Sequence, residues 1–297
     1  MLPALIFGEV LFDRFESGET VLGGAPLNVA WHLHALGLEP ILVSRLGDDE
    51  LGRQALSTID EFGLRSDFIQ RDPQKPTGTV NITLQQASPT FEIVSDVAYD
   101  YIDDPATYAS SQAFGEQPFS LLYHGSLALR SNHSRATLEA LRARTDCPVF
   151  VDVNLRAPFW KKSLIASLID AADWVKLNHE ELMIMVDKPV TQQRDNLIES
   201  ARTLNEQYDL RALIVTCGDQ GAFIVHGDEV VDMPPVVPEK MVDTVGAGDG
   251  FSAVTIAGIL QDWPYKKILQ QASLFAARIC GIRGAVPPSR TFYNGVV

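Results

Sequence analysis

The sequence has few cysteines, no long apolar run and no excess of positive charge, and each shortage excludes a class of protein. The cysteines are too few and too scattered for a disulfide framework or a zinc site, so we expect buried free thiols at Cys147, Cys217 and Cys280. Unpaired thiols are typical of a reducing cytoplasm. No stretch approaches the ~20 apolar residues of a transmembrane helix, and the first residues lack the basic segment of a signal peptide. We therefore expect a cytoplasmic protein with no membrane partner.

Positive charge is scarce relative to negative charge. Lysine and arginine number 24 against 38 aspartates and glutamates, and the formal net charge is −14 at pH 7. This balance repels a polyanion such as nucleic acid, and it also repels an anionic membrane surface. A small phosphorylated ligand is not excluded, because a local pocket can oppose the charge of the whole molecule.

The chain has no internal repeat and no low-complexity segment, and strand patterns alternate with helix patterns along most of it. This order predicts an α/β fold, in which one domain over residues 1–297 has a mostly parallel central sheet with helices on both faces. The predicted strands are 5–8, 40–44, 121–125, 149–153, 174–177, 212–216, 221–225 and 229–232. The predicted helices are 26–36, 50–62, 133–143, 164–171, 180–186, 194–205, 250–260 and 268–282.

The stretch from Thr77 to Tyr101 departs from this alternation. Residues 77–84 show a β pattern, Ser88 and Pro89 are typical of a turn, and residues 91–94 show a second β pattern. We expect a hairpin here, to which residues 13–22 add a third strand. The sequence thus predicts a small second sheet that forms a lid, built from about residues 13–22 and 77–103.

The residues from Asp243 to Asp249 form a glycine-rich turn ahead of a long run of small and apolar residues. Gly246 and Gly248 allow backbone angles that other residues avoid, and the run that follows predicts a buried helix. A glycine turn at a helix N-terminus directs backbone N–H groups at one point, where the helix dipole favours negative charge. This geometry suits a transferring phosphoryl group. Asp249 fits two roles about equally well, as the general base for an attacking hydroxyl or as the N-cap of the helix.

Two common phosphate loops are excluded by residues that this turn lacks. A dinucleotide-binding fingerprint needs a third glycine at the position of Phe251. A Walker A loop needs a lysine directly after its glycines, and none follows here. The missing third glycine also argues against a dinucleotide-dependent oxidoreductase.

The turn, D-T-V-G-A-G-D in one-letter code, resembles the C-terminal signature of the ribokinase-like (PfkB) carbohydrate kinases. The stretch from Gly23 to Gly37, followed by residues 45–52, resembles the N-terminal motif of that family, and the two motifs stand in the family's order. The resemblance extends over essentially the whole chain. It implies a three-layer α/β/α fold with a small β-sheet lid, a small-molecule sugar and ATP as ligands, and Mg²⁺ as a cofactor.

The resemblance assigns the chemical step to the turn and to one arginine. Asp249 is expected to be the base, and Gly246, Ala247 and Gly248 are expected to form the anion hole. Arg156, which follows a predicted strand, is expected to neutralise charge on the γ-phosphate with its planar fork of donors. The alternative for Arg156 is an ordinary surface arginine at a strand end.

The sugar is expected to lie against polar residues of the N-terminal half. Asp13 is predicted at the carboxyl end of a strand, where ligands of α/β sheets bind, and by resemblance it holds sugar hydroxyls together with Gly24 and Asn28. Without the resemblance, Asp13 would be interpreted as a turn residue and Asn28 as a polar residue at a helix start. Two further residues are implied, Asn154, which in similar kinases approaches the phosphates, and Tyr101, which would cover a face of the sugar from the lid. For the tyrosine, ordinary packing in a sheet is the alternative.

The nucleotide is expected at motifs in the C-terminal half. Glu181 belongs to a stretch that resembles the family's N-x-x-E element, in which it would hold Mg²⁺ through water. The same stretch fits a capping box at the start of a helix, and the two interpretations are compatible. Residues 216–221 resemble the T-x-G-x-x-G turn that lies along the nucleotide. The expected nucleotide contacts are Asn178, Thr216, Gly218, Gly221 and Ser273, the last in the position that faces adenine.

The C-terminal residues resemble a loop that closes a monovalent cation site in this family. Its expected ligands for K⁺ are Asp243, Gly284 and Ser289.

Fructose is the substrate that local features favour. Residues 8–13, 22–33 and 98–102 resemble bacterial fructokinases, and residues 91–104 contain no basic residue, which argues against a phosphorylated sugar. The sequence therefore predicts an ATP-dependent fructokinase, with ribokinase or 2-keto-3-deoxygluconate kinase as alternatives. A non-catalytic sugar- or nucleotide-binding protein is the alternative from another class. The free edges of the lid sheet also predict a homodimer that pairs through the lid.

Overall fold

The structure is a computed structural model that describes residues 2–85, 88–108, 114, 118–186, 191–287 and 289–296. Its strands are β1 (Ala4–Phe7), β2 (Leu11–Phe15), β3 (Thr20–Gly23), β4 (Pro40–Gly47), β5 (Ile69–Asp72), β6 (Gly78–Gln85), β7 (Ser88–Ile93), β8 (Leu121–His124), β9 (Val149–Asp152), β10 (Trp174–Asn178), β11 (Ala212–Thr216), β12 (Ala222–His226) and β13 (Glu229–Met233). Its α-helices are α1 (Ala25–Ala35), α2 (Glu50–Phe62), α3 (Pro105–Tyr108), α4 (Asn132–Thr145), α5 (Lys162–Ile169), α6 (His179–Met185), α7 (Arg194–Gln207), α8 (Ala247–Leu260) and α9 (Tyr265–Ile279).

The central sheet has nine strands within the described ranges, in the order β13-β12-β11-β10-β9-β8-β1-β4-β5. Seven neighbouring strands of this sheet run parallel, namely β5, β4, β1, β8, β9, β10 and β11. The strands β12 and β13 extend the sheet in antiparallel orientation. The carboxyl ends of the parallel strands therefore meet at one edge, which is where ligands of such sheets bind.

Helices cover both faces of this sheet. The residues of β1 are all buried and apolar, as a strand covered on both faces requires. Leu5 and Phe7 pack into a core shared with α4 to α7, whereas Ile6 packs into a second core shared with α1, α2, α8 and α9. The α/β fold with three layers and a mostly parallel sheet is thereby confirmed. No helix in the described part of the chain is long and apolar enough to span a bilayer.

A separate sheet of four strands, in the order β3-β2-β6-β7, stands apart from the central one. The expected single strand over residues 13–22 is wrong, because this stretch lies in the antiparallel hairpin of β2 and β3. Ser88 and Pro89 do not form a turn, because they begin β7 and pair with β6. Asp13 does not end a strand of the central sheet. The chain leaves that sheet after Phe7, and Asp13 lies inside β2 between Val21 and Val80.

Two elements near the second sheet differ from the prediction. The strand β5 was not predicted, because Ile69–Asp72 has only one apolar residue, and its buried Gln70 is held by hydrogen bonds with the backbone of Asp103. Residues 98–101 form a 3₁₀ turn outside the sheet, and Tyr99 is fully buried in the core. The second sheet therefore ends before the tyrosines that were assigned to it.

Candidate active site

The glycine-rich turn forms the N-terminus of α8. Gly246 is the N-cap, with a left-handed backbone at φ 77°, and a Cβ placed on it would lie 2.3 Å from the Cβ of Ala285. Only glycine meets both conditions without strain. The helix begins at Ala247, three residues before the predicted start, so Asp249 lies within its first turn. The N-cap interpretation of Asp249 is therefore wrong, because Gly246 occupies that position.

Asp249 is joined to the N-terminal motif by a hydrogen bond. The side-chain amide of Asn28 in α1 donates to Oδ2 of Asp249 at 2.7 Å, across 221 residues of sequence. Asn28 is buried, and its Oδ1 has no partner among the described residues, which leaves an acceptor at the site. The two motifs that were recognised separately in the sequence thus meet at one carboxylate.

The surroundings of Asp249 make it a stronger base than an ordinary aspartate. Removal from water raises the pKa of Asp249 to about 6, and the nearby carboxylate of Asp152 adds to the rise, while Asn28, Lys176 and Arg156 oppose it. A base with a pKa slightly below neutral pH is ionised there and still accepts a proton readily.

Glu9 is a second buried carboxyl group at the site, and the sequence analysis did not identify it. It follows β1 closely and is 3% exposed, and its Oε2 has no partner among the described residues. Burial raises the pKa of Glu9 to about 7, Arg156 opposes this rise, and Asp249 adds to it. Its backbone passes close to Gly24, where a Cβ would lie 2.5 Å from the carbonyl oxygen of Glu9. The only signal in the sequence was a carboxylate just after an apolar strand.

Arg156 is exposed, and its charge acts on the carboxylates of the site. Burial raises the pKa values of Glu9, Asp249 and the half-buried Asp13, and the charge of Arg156 opposes each of these rises. The structure thus brings Arg156 and Asp13 to the same region as Asp249. Asn154, two residues before the arginine, has a left-handed backbone at φ 38°, and its carbonyl accepts a hydrogen bond from Ser126 at 3.4 Å.

A cavity of about 550 Å³ lies beside the turn, and neither Asn28 nor Asp249 lines it. This volume is in the range that holds a small organic ligand. Ala247 and Gly248 line it at the turn, and its walls are largely apolar. Four of the five residues predicted to contact the nucleotide also line it, and they are Thr216, Gly218, Gly221 and Ser273. The Oγ of Ser273 has no partner among the described residues, so it is available to a ligand.

Asn178 and Glu181 form a capping box at the start of α6. The side chain of Asn178 accepts from the backbone N–H of Glu181, and Glu181 accepts in return from the backbone N–H of Asn178, both at 2.8 Å. The other oxygen of Glu181 accepts from Leu155 at 2.7 Å. With both oxygens held by backbone donors, Glu181 suits a contact to the water shell of Mg²⁺ better than direct ligation. A Mg²⁺ ion that keeps its waters and binds phosphates needs few direct ligands from the protein.

The predicted cation ligands are only partly brought together. Asp243 accepts from the backbone N–H of Val245 at 3.1 Å and from that of Gly284 at 3.2 Å, so the C-terminal loop does close on this carboxylate. Ser289 instead caps a 3₁₀ turn through the N–H of Thr291. Its hydroxyl is therefore committed locally.

Tyr101 is placed away from the other predicted residues. Its hydroxyl donates to Asp96 at 2.6 Å, the ammonium of Lys75 lies 4.8 Å from its ring centre, and His133 packs beside it. None of these partners belongs to the predicted site. Tyr99 is instead fully buried, and burial raises the pKa of its hydroxyl, with a further rise from the charge of Glu9.

A network of three buried polar side chains lies behind the turn, and sequence analysis did not predict it. Lys176 of β10 binds both carboxylate oxygens of Asp152 at 3.0 Å, and Ser252 of α8 donates to the same carboxylate at 2.8 Å. A lysine inside an otherwise apolar strand was the available signal, because a buried lysine needs a charged partner.

Comparison with known proteins identifies the family and agrees with the fold. Residues 6–291 match the family described as pfkB family carbohydrate kinase. A fructokinase of Klebsiella pneumoniae is 29% identical over 86% of this chain and 83% of its own length. An uncharacterized sugar kinase from Pyrococcus horikoshii, solved in complex with ATP, is 27% identical, with a TM-score of 0.78 over 96% of this chain and 94% of that one. The fructokinase from Vibrio cholerae O395, solved with fructose, ADP and calcium ion, is similar in fold, with a TM-score of 0.82 at 21% identity over 100% of this chain and 99% of that one.

Proposed function

The chain belongs to the pfkB family of carbohydrate kinases, and from this premise we propose that it phosphorylates fructose from ATP with Asp249 as the general base. As a member of that family it is a sugar phosphotransferase. The hydrogen bond from Asn28 to Asp249 carries the proposal, because it joins a residue expected at the sugar to the residue expected to remove its proton.

The proposed step is an in-line transfer. Asp249 takes the proton of a primary hydroxyl as its oxygen attacks the γ-phosphorus, a new O–P bond forms, and the bond from the γ-phosphorus to the β–γ bridging oxygen breaks. ADP leaves with the electrons of that bond. Asn28 orients the carboxylate of Asp249, and the first N–H groups of α8 stabilise charge on the transferring group.

Arg156 and the metal ion would share the neutralisation of phosphate charge. The charge of the exposed Arg156 acts on the carboxylates of Glu9, Asp13 and Asp249, so a cation is present where the nucleotide would add negative charge. Mg²⁺ bound with ATP supplies further neutralisation of the β- and γ-phosphates. Glu181 would contact it through water, and Asp243 remains the candidate ligand for K⁺.

The nucleotide would occupy the cavity beside the turn. Its apolar walls and the four lining residues of the T-x-G-x-x-G stretch and α9 support adenine and ribose there, with the phosphates directed at Gly248. The sugar would lie on the Asn28 side, against Asp13 and Gly24. Hydrogen-bonding groups dominate that side, which supports a neutral polyol over an apolar substrate.

A panel of sugars tests the substrate directly. ADP release should be measured with fructose, ribose, 2-keto-3-deoxygluconate and fructose 6-phosphate at saturating ATP. We expect the highest kcat/KM with fructose. A higher value with another sugar would overturn the choice of fructose and leave the kinase intact. Ligand-induced stabilisation with no ADP release from any sugar would instead favour a binding protein on this scaffold. A cytoplasmic location and a homodimer paired through the second sheet stay predictions from the sequence.

A further inference from the structure

The network behind the turn contains two opposite charges, the ammonium of Lys176 and the carboxylate of Asp152. Lys176, Asp152 and Ser252 come from β10, β9 and α8, and none of them is more than 7% exposed. The ammonium of Lys176 lies 3.2 Å from the position that a Cβ on Gly248 would occupy. Gly248 lines the cavity assigned to the nucleotide. The positive end of the pair therefore lies against the nucleotide side of the turn.

The negative end is bonded to the helix that carries the base. Ser252 lies one helical turn after Asp249 on α8, and it holds Oδ2 of Asp152 at 2.8 Å. Burial raises the pKa of Asp249 most, the charge of Asp152 adds to this rise, and Lys176 opposes it. The carboxylate is thus tied to the helix of the base through Ser252, and the ammonium lies against Gly248 of the turn.

Lys176 is charged and has bonding capacity to spare. Burial opposes its charge, but the carboxylates of Asp152, Glu181 and Asp249 raise its pKa above the ordinary value. An ammonium has three N–H donors. Among the described residues its acceptors are the two oxygens of Asp152 alone, so at least one N–H group is without an acceptor.

We propose that the Asp152–Lys176 pair is an oriented charge pair that serves phosphoryl transfer, with the ammonium attracting the phosphates of ATP and the carboxylate strengthening Asp249 as a base. The proposal rests on the proposed function of Asp249. In a site shielded from water, fixed charges of this kind stabilise developing charge without having to reorient. Ser252 is a positioning residue, because it acts only through Asp152.

The alternative is a pair that only holds the core together. Removing both charges at once distinguishes the catalytic role from the structural one. Loss of only one partner leaves a buried unpaired charge, which destabilises the protein under either interpretation. The test therefore uses the double variant Asp152→Asn with Lys176→Met, beside each single variant. The asparagine introduced by Asp152→Asn can still accept from Ser252, so the packing around α8 is kept.

The expected results differ between stability and activity. Both single variants should lower Tm, and the double variant should regain most of it. Its kcat should nevertheless stay about 10²-fold below that of the wild type, with the KM for the sugar unchanged. Its Kd for ATP, measured by calorimetry without sugar, should rise about tenfold. Recovery of both kcat and ATP affinity together with Tm would overturn the proposal.

A control is the partly buried pair of Arg45 and Asp72, whose Nε and Oδ2 lie 2.8 Å apart between β4 and β5, and in which Arg45 also binds Asp103. The double variant Arg45→Met with Asp72→Asn should lose stability and keep kcat. The calorimetric result also separates this proposal from the function on which it rests. If the wild type released no ADP with any sugar, the proposed function would fail, and unchanged ATP affinity in the Asp152/Lys176 double variant would still overturn the role of the pair.

Discussion

Glu9 shows how the site turns an ordinary carboxyl group into one that holds its proton near neutral pH. Its side chain is enclosed between the end of β1 and the residues around Asp249, and burial raises its pKa to about 7. The identity of the residue could be read from the sequence, but this property could not. It depends on which groups pack against the carboxyl, and those groups come from distant parts of the chain.

The variant Glu9→Gln should change how stability depends on pH. The folded-state pKa of about 7 lies above the ordinary value of 4.5, so the contribution of Glu9 is fully present below about pH 4.5 and is lost as pH rises through 7. Its full size is on the order of 3 kcal/mol. Glutamine cannot ionise, so the variant should gain stability relative to the wild type between pH 5 and pH 8, measured by urea unfolding. Parallel curves for the two proteins would contradict the assigned burial, and the exposed Glu16→Gln is the control.

The same limit of sequence reasoning applies to the residues that were predicted by resemblance. Asn28 and Asp249 were recognised from two separate motifs, and their contact follows from how α1 and α8 pack together. Tyr101 was assigned from a local pattern alone, and the structure places it among Lys75, Asp96 and His133. Asn28 and Asp249 thus contact each other, whereas the side-chain partners of Tyr101 were not assigned to the site.

At the scale of elements, hydrophobic periodicity predicted the bounds best where one face of a helix, or a whole strand, is buried. The predicted bounds of α2 and β11 are those of the structure, because an amphipathic helix and a short, mostly apolar run each give a clear hydrophobic pattern. The strand β5 was missed because its buried polar residue is satisfied by the backbone of another segment. The start of α8 was predicted too late. Its first turn consists of small residues and an aspartate, and its N-cap is a glycine, so no apolar periodicity marks where the helix begins.

The turn that begins α8 should not tolerate a side chain at its N-cap. In Gly246→Ala the new methyl group would meet Ala285 and the backbone would keep a left-handed angle, so the turn must shift. We expect a loss of more than about 2 kcal/mol in unfolding free energy together with a large fall in kcat. Gly227→Ala is the matched control, since Gly227 has φ 52° and open space around its Cβ position. It should lose about 1 kcal/mol and keep kcat. Equal effects of the two substitutions on kcat would contradict the role of the turn.

For the whole molecule, the site depends on how distant segments meet at the carboxyl edge of the central sheet. Asp13 comes from the second sheet, Asn28 from α1, Arg156 from the loop after β9 and Asp249 from α8. The alternation of strands and helices predicted this edge as the ligand site. The path of the chain between the two sheets was not predictable, because no residue pattern showed that the central strand ends at Phe7 and that a strand of the second sheet begins at Leu11.

The most direct measurement compares Asp249→Asn with the wild type in both turnover and ATP binding. Asparagine keeps the size of the side chain and can still accept from Asn28, but it cannot take a proton. We expect calorimetry to give an ATP affinity close to that of the wild type, and ADP release with fructose to fall by about 10²- to 10⁴-fold. Near-normal ADP release by a correctly folded Asp249→Asn variant would contradict the assignment of Asp249 as the base.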